Sequence, residues 1–146
     1  MDRNAELLNS MHCIAKFWQS LTEPLCRKFG ITQLEKDLLG FLSHHPQSNT
    51  ARDIVELRML PKANVSIAVE SLMCKGYLIR QQDTADRRRI HLLLTAQADS
   101  LLAELAEKQQ EFIQKLFDGF SDDERMQYQS MNARIFENAH RNLEGK

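Results

Sequence analysis

The 146-residue sequence predicts a mainly α-helical chain carrying one small β-hairpin past its midpoint. Three observations carry that expectation. Apolar residues recur at three- and four-residue steps through most of the chain, the spacing of one helix face. A Thr or Ser cap with an acid three residues on opens a helical run at Thr32–Glu35, Thr50–Asp53 and Ser121–Glu124. The period falls to two only around residues 77–82 and 89–94, on either side of a polar link.

The first helix is expected over residues 3–29, with Leu7, Leu8, Met11, Ile14, Ala15, Trp18 and Leu21 on one stripe. Pro24 is expected to kink or break it, and Gly30 to end it. The second helix opens at the Thr32 cap and runs through Leu34, Leu38, Leu39 and Leu42 to a loop at residues 44–49. The Thr50 cap starts a short helix with Ile54 and Leu57 inward. Arg58-Met59-Leu60 forms the turn. Pro61 suits a first helical turn, and the next helix runs from about residue 61 to Lys75. Its buried stripe is Val65, Ala68, Val69, Leu72 and Met73, and Gly76 stops it. Tyr77–Gln82 and Arg89–Leu94 are strands joined by the link Asp83–Arg88. In the second, Ile90, Leu92 and Leu94 share a face. Thr95 is expected to cap a helix reaching about Phe117, with Leu101, Leu105, Phe112 and Leu116 inside. A break at residues 118–120 precedes a last helix bearing Met126, Met131, Ile135 and Leu143, whose final residues should fray.

Composition narrows the function class. The chain is 42% apolar and 27% charged, which excludes a disordered tail, a collagen-like repeat and a disulfide-rich miniprotein. No apolar run approaches the roughly 18 residues of a membrane span. The opening Met1-Asp2-Arg3-Asn4-Ala5-Glu6 lacks the build of a signal peptide, so no membrane partner is expected. Three cysteines, Cys13, Cys26 and Cys74, cannot all pair within one chain and sit in helix-like segments. A cytoplasmic protein with reduced thiols follows. Net charge is −1, but it is uneven: residues 1–49 are neutral, residues 50–94 carry eight bases against five acids, and residues 95–146 carry six against ten. A basic middle third suits a module that meets an anion with one face. No P-loop, GxGxxG, HExxH, GxSxG or CxxC pattern is present, so no enzyme and no cofactor is expected. His44-His45 are adjacent in a loop, a poor metal site, and no metal is expected.

A short helix, a tight turn and a further helix make a helix-turn-helix, and a hairpin directly after it makes a winged helix. The long terminal helices exceed what that lobe needs, and their apolar stripes call for a second copy of the chain.

The residues then resemble a known family, the MarR family of bacterial transcriptional regulators. Asp86-Arg87-Arg88-Arg89-Ile90-His91-Leu92-Leu93-Leu94-Thr95 resembles its Asp-x-Arg…Leu-Thr wing signature. Leu72-Met73-Cys74-Lys75-Gly76-Tyr77-Leu78 resembles its link from recognition helix to wing, and Ile31-Thr32-Gln33 the usual start of its second helix. The likeness covers about Ile31 to Leu105. It implies a single MarR-type domain over 1–146: a DNA-binding lobe at 31–95, and dimerisation helices at 1–29 and 96–146.

A helix of this size fits the major groove. With the buried stripe removed, Lys62, Ala63, Asn64, Ser66 and Ile67 are the candidate base-reading set, with Glu70 and Ser71 farther along. Lys62 suits a phosphate or guanine, and Asn64 an adenine. Ile67 departs from the family, which often has a polar or basic residue there; it either meets a thymine methyl or packs. Glu70 would repel a phosphate and is placed away from the backbone. In the wing, the resemblance pairs Asp86 with Arg88 and leaves Arg87 or Arg89 to enter the minor groove. Ser48, Asn49, Thr50 and Arg52, with Gln47, are candidate phosphate contacts at a helix N-terminus, although Thr50 serves equally as a plain cap.

The resemblance also implies a homodimer on a palindromic operator of double-stranded DNA, with half-sites about one helical turn (roughly 34 Å) apart. Repression is the family default. Many relatives are released by a small, often aromatic or anionic effector bound between dimer interface and DNA lobe. Met11, His12, Phe17, Trp18 and Phe41 are candidates for that pocket, or plain core. Other relatives sense oxidants. Cys13 is the cysteine nearest the position they use, against the ordinary reading of an inert thiol. The alternatives are a redox-sensing regulator of the same fold and a winged helix that binds protein.

Overall fold

The computed structural model describes residues 2–144; Met1, Gly145 and Lys146 lie outside it. Six helices and one hairpin follow in order: α1 (Arg3–Phe29), α2 (Gln33–His44), α3 (Ala51–Arg58), α4 (Lys62–Cys74), β1 (Leu78–Gln82), β2 (Ile90–Leu94), a short 3₁₀ turn (Ala96–Ala98), α5 (Asp99–Leu116) and α6 (Asp122–Glu144). The chain divides into two compact units after Gln110.

Local chemistry sets the boundaries in the first unit. Asp2 caps α1, and Gly30, at φ 66°, closes it in the left-handed conformation that glycine adopts without penalty. Thr32 with Glu35, and Thr50 with Asp53, form complete capping boxes on α2 and α3. Pro24 does not break α1, which is helical on both sides of it. Proline removes one donor, toward Ser20, and Ser20 is exposed, so water can satisfy that carbonyl. Met59, at φ 52°, reverses the chain between α3 and α4.

β1 and β2 pair antiparallel, with Leu78 opposite Leu94 and Gln82 opposite Ile90. The amide of Leu92 also donates to the Asn49 carbonyl at 2.8 Å, tying the loop before α3 to the second strand. Thr95 does not cap α5. Its hydroxyl donates to the Gly76 carbonyl at 2.6 Å, and α5 begins only after the 3₁₀ turn.

The core lies where α2, α4 and the hairpin converge. Leu38, Leu39, Ile54, Val65, Leu72, Leu78, Leu92 and Leu101 are at most 3% exposed. Each such side chain contributes on the order of 2 kcal/mol of burial. Leu57, expected inward, is 51% exposed: the core ends one turn earlier, at Ile54. Inside this core lies a lysine. Lys36 Nζ donates to Gln33 Oε1 at 2.6 Å and Thr22 Oγ1 at 3.2 Å, faces Asp37 at 3.2 Å, and stands 4.7 Å from the centre of the Trp18 ring. Paired in this way, a buried ammonium is tolerated.

The second unit begins in the last turns of α5 and is mostly α6. Ser121 and Glu124 exchange the hydrogen bonds of a capping box, as the sequence predicts. Phe117 packs edge-on against Phe120 and Tyr128, with the Arg125 guanidinium 5.2 Å from its centre. Phe112 and Leu116, expected inside, are only partly buried. No residue of α6 is buried. Met126, Met131, Ile135, Phe136 and Leu143 are all more than half exposed.

Candidate nucleic-acid interface

α4 turns one face to the core and the other outward. Val65, Ala68, Val69 and Leu72 are buried, while Lys62, Ala63, Asn64, Ser66 and Ile67 are exposed. Met73, placed in the buried stripe by its spacing, is half-buried. The helix starts at Lys62 with Pro61 as its N-cap, and no side chain satisfies its first-turn amides. An uncapped start beside a lysine favours an anion.

Two ion pairs and a glycine turn fix α4 in place. Lys75, at its C-cap, donates to Glu35 Oε1 at 2.8 Å and Oε2 at 3.1 Å, and Glu35 is 2% exposed. Burial pushes the Glu35 carboxyl up, but hydrogen bonds from Lys75, Ser71 and the Thr32 amide outweigh it, and its pKa falls below the ordinary value. Gly76, at φ 88°, lets the chain turn from helix to wing; a Cβ there would lie 2.6 Å from Gln97 Oε1. Glu70 pairs with Arg80 of β1, so the carboxylate that would repel a phosphate is neutralised from the wing strand.

The wing is organised by Asp83, the first residue of the polar link between the strands. Asp83 Oδ2 accepts from the amides of Ala85 and Asp86 at 2.9 and 2.8 Å. The His91 ring donates through Nε2 to Asp83 Oδ1 at 2.7 Å, and its Nδ1 lies 2.7 Å from Asn49 Oδ1. The His91 hydrogen bond, then those two amides, hold the Asp83 carboxyl down at about 2. Asx-turn geometry was a signal available in the sequence. The bond from His91 to Asn49 was not, since 42 residues separate the two.

At the tip, Asp86 Oδ1 accepts from the Arg88 amide at 3.0 Å and meets its Nε at 3.5 Å, the pairing the resemblance implies. Arg89 reaches toward Asp53 of α3 at 4.0 Å. Among the described residues the Arg87 side chain has no ion pair, and its carbonyl accepts from Gln82 Nε2 at 2.8 Å. The Ser48–Arg52 group is more committed. Thr50 is buried in its capping box, Asn49 is engaged with His91, and the Ser48 amide donates to His45. Arg52 is exposed and pairs with Glu56 at 2.9 Å.

Met11 and His12 are exposed on α1, Phe17 and Trp18 are half-buried there, and Phe41 lies in the core, stacked on His45. A shallow cleft of about 300 Å³ lies between α2 and α4, bordered by Thr32, Leu34, Asn64, Ile67, Ser71 and Lys75. Cys13 and Cys74 are exposed. Cys26 is buried, which pushes its thiol up and away from reactivity. Among the described residues no cluster of metal-ligating side chains occurs, and no helix is long and apolar enough to cross a membrane.

A two-turn helix, a left-handed turn, an outward-faced helix and a hairpin bound to it define a winged helix-turn-helix. The model of the MarR family matches residues 29–89, most of that lobe. The fold of the chain is likewise that of MarR proteins. The MarR protein from Peptoclostridium difficile aligns at TM-score 0.86 and 18% identity, over 100% of this chain and 94% of that one. The S. aureus MepR–DNA complex aligns at 0.76 and 23%, over 89% and 96%. BpsR of Bordetella bronchiseptica, whose DNA binding is regulated by 6-hydroxynicotinic acid, aligns at 0.72 and 18%, over 92% and 96%. No curated protein sequence matches the chain.

Proposed function

We propose that this chain is a homodimeric, sequence-specific regulator of transcription, a repressor that holds a palindromic operator and leaves it when a small molecule binds. The observation that carries this reading is the outward face of α4. Lys62, Asn64, Ser66 and Ile67 lie exposed on a helix anchored by Glu35 and Gly76, beside a wing whose Arg87 is uncommitted. In this reading the lobe at 31–95 meets DNA: α4 reads the major groove, Arg87 enters the minor groove, and Arg52 with Ser48 meets phosphate. The helices at 1–29 and 96–146 join two copies, which would cover the exposed Leu7, Leu8 and Met11 of α1 and the apolar residues of α6. A cytoplasmic location fits such a role.

DNA binding by MepR, and effector control of BpsR, support extending both properties to this chain. The test is selection of bound sequences from random duplex DNA at fixed salt. A two-fold-symmetric motif is expected. A folded dimer that enriches nothing would instead favour a winged helix that docks on protein.

A further inference from the structure

Ile67 is the most exposed large apolar side chain among the described residues, at 71%. Packing within its own chain, one of the two roles its position allows, is therefore not what holds it. Its place on α4 narrows the other. Ala63, Ile67 and Glu70 follow one another at four- and three-residue steps, opposite the buried Val65 and Leu72, and so form the outermost ridge of the helix. Glu70 is tied to Arg80. The part of the ridge left for a ligand therefore offers hydrocarbon, while the polar Asn64 and Ser66 stand in the rows beside it.

We infer that Ile67 is a specificity-determining residue that reads the C5-methyl of a thymine in the major groove, so that each half-site must carry a thymine beneath the middle of α4. Thymine is the base whose major-groove edge presents a methyl group, and apolar side chains are its natural partners. A β-branched side chain in a helix is held almost entirely in one χ1 rotamer, so ordering Ile67 against a base loses little freedom. A polar or basic residue here would favour a guanine or a phosphate; isoleucine rejects both by leaving their acceptors unpaired.

This inference rests on the DNA-binding reading above, and the experiment separates the two. Sequences selected by the wild-type chain are resynthesised with each thymine replaced in turn by deoxyuridine, which pairs identically but lacks the methyl. At one position per half-site, binding should weaken about fourfold, the scale of one buried methyl group. Ile67→Ala should bind the thymine duplex more weakly and lose its preference for thymine over deoxyuridine at that position. The wild-type result needs no variant, so it stands whatever the substitution does to folding. A selected motif in which no thymine responds to deoxyuridine, or in which Ile67→Ala leaves every response unchanged, overturns the inference alone. Failure to select any motif overturns both readings.

Discussion

His91 of β2 and Asp83, just past β1, are joined at the loop end of the hairpin by a 2.7 Å hydrogen bond, and the same carboxylate gathers the amides of Ala85 and Asp86. One side chain thus sets the turn that presents Arg87 and Arg88. The Asp83 carboxyl is held at about 2, below its ordinary 3.8. A lowered carboxylate pKa contributes stability that is present above the ordinary value and is lost as pH falls through the lowered one. Protection of the wing amides from hydrogen exchange should therefore hold from neutral pH to about 4 and fall toward pH 2. Asp83→Ala should remove it already at neutral pH; unchanged protection of Ala85 and Asp86 in that variant would show that the turn forms without the carboxylate.

Lys75→Met should destabilise the chain by about 2 kcal/mol in urea unfolding, because it leaves the buried Glu35 carboxylate with its amide partner but no cation. The figure is below that for a fully buried pair, since the Lys75 side chain is 35% exposed. Glu35 also has a lowered pKa, so the wild-type excess in stability should be lost under acid as that carboxyl protonates. Equal midpoints for variant and wild type at neutral pH would remove the pair as an anchor of α4.

Gly76→Ala tests the turn from helix to wing. The backbone there sits at φ 88°, and the new methyl would meet Gln97, which now donates to the Lys75 carbonyl at 2.9 Å. A loss of about 1–2 kcal/mol is expected, mostly from the backbone conformation, since Gln97 can swing away. Thermal unfolding of the variant measures it.

Arg87→Ala should weaken binding to random duplex DNA and lower the salt slope of log K by about 1, as for one lost phosphate-neutralising contact. Arg88→Ala should do less, because it removes a side chain already paired with Asp86 at 3.5 Å and keeps the amide bond from residue 88 to the same carboxylate. The opposite ranking would place Arg88, rather than Arg87, against the DNA.

Ile135→Glu should yield a monomer under conditions where the wild type sediments as a dimer. The substitution puts a charge on a face of α6 that already leaves Met131, Ile135 and Phe136 in water. A wild-type monomer at micromolar concentration would overturn the dimer.

The legible parts of this chain are those whose cause is local. Thr32 and Glu35, or Thr50 and Asp53, stand three residues apart, and a reader of the sequence can see both halves of each box. The outward set on α4 was legible for the same reason, because the helical period separates it from Val65, Val69 and Leu72. What escaped depends on chain brought together from afar. Glu35 and Lys75 are 40 residues apart, and nothing near either announces the other. Lys36 reads as a solvated charge until Thr22, Gln33 and Trp18 are seen to close around it. Thr95 looked like one more cap because its pattern is local, but the Gly76 carbonyl, 19 residues away, takes its hydroxyl.

Trp18 is the chain's single tryptophan, and it stands against the Lys36 ammonium at the junction of α1 and α2. Indole emission from the whole protein therefore comes from one place. Its intensity and wavelength report the opening of that junction and are blind to the wing, so an optical unfolding curve of the native chain is already a site-resolved measurement.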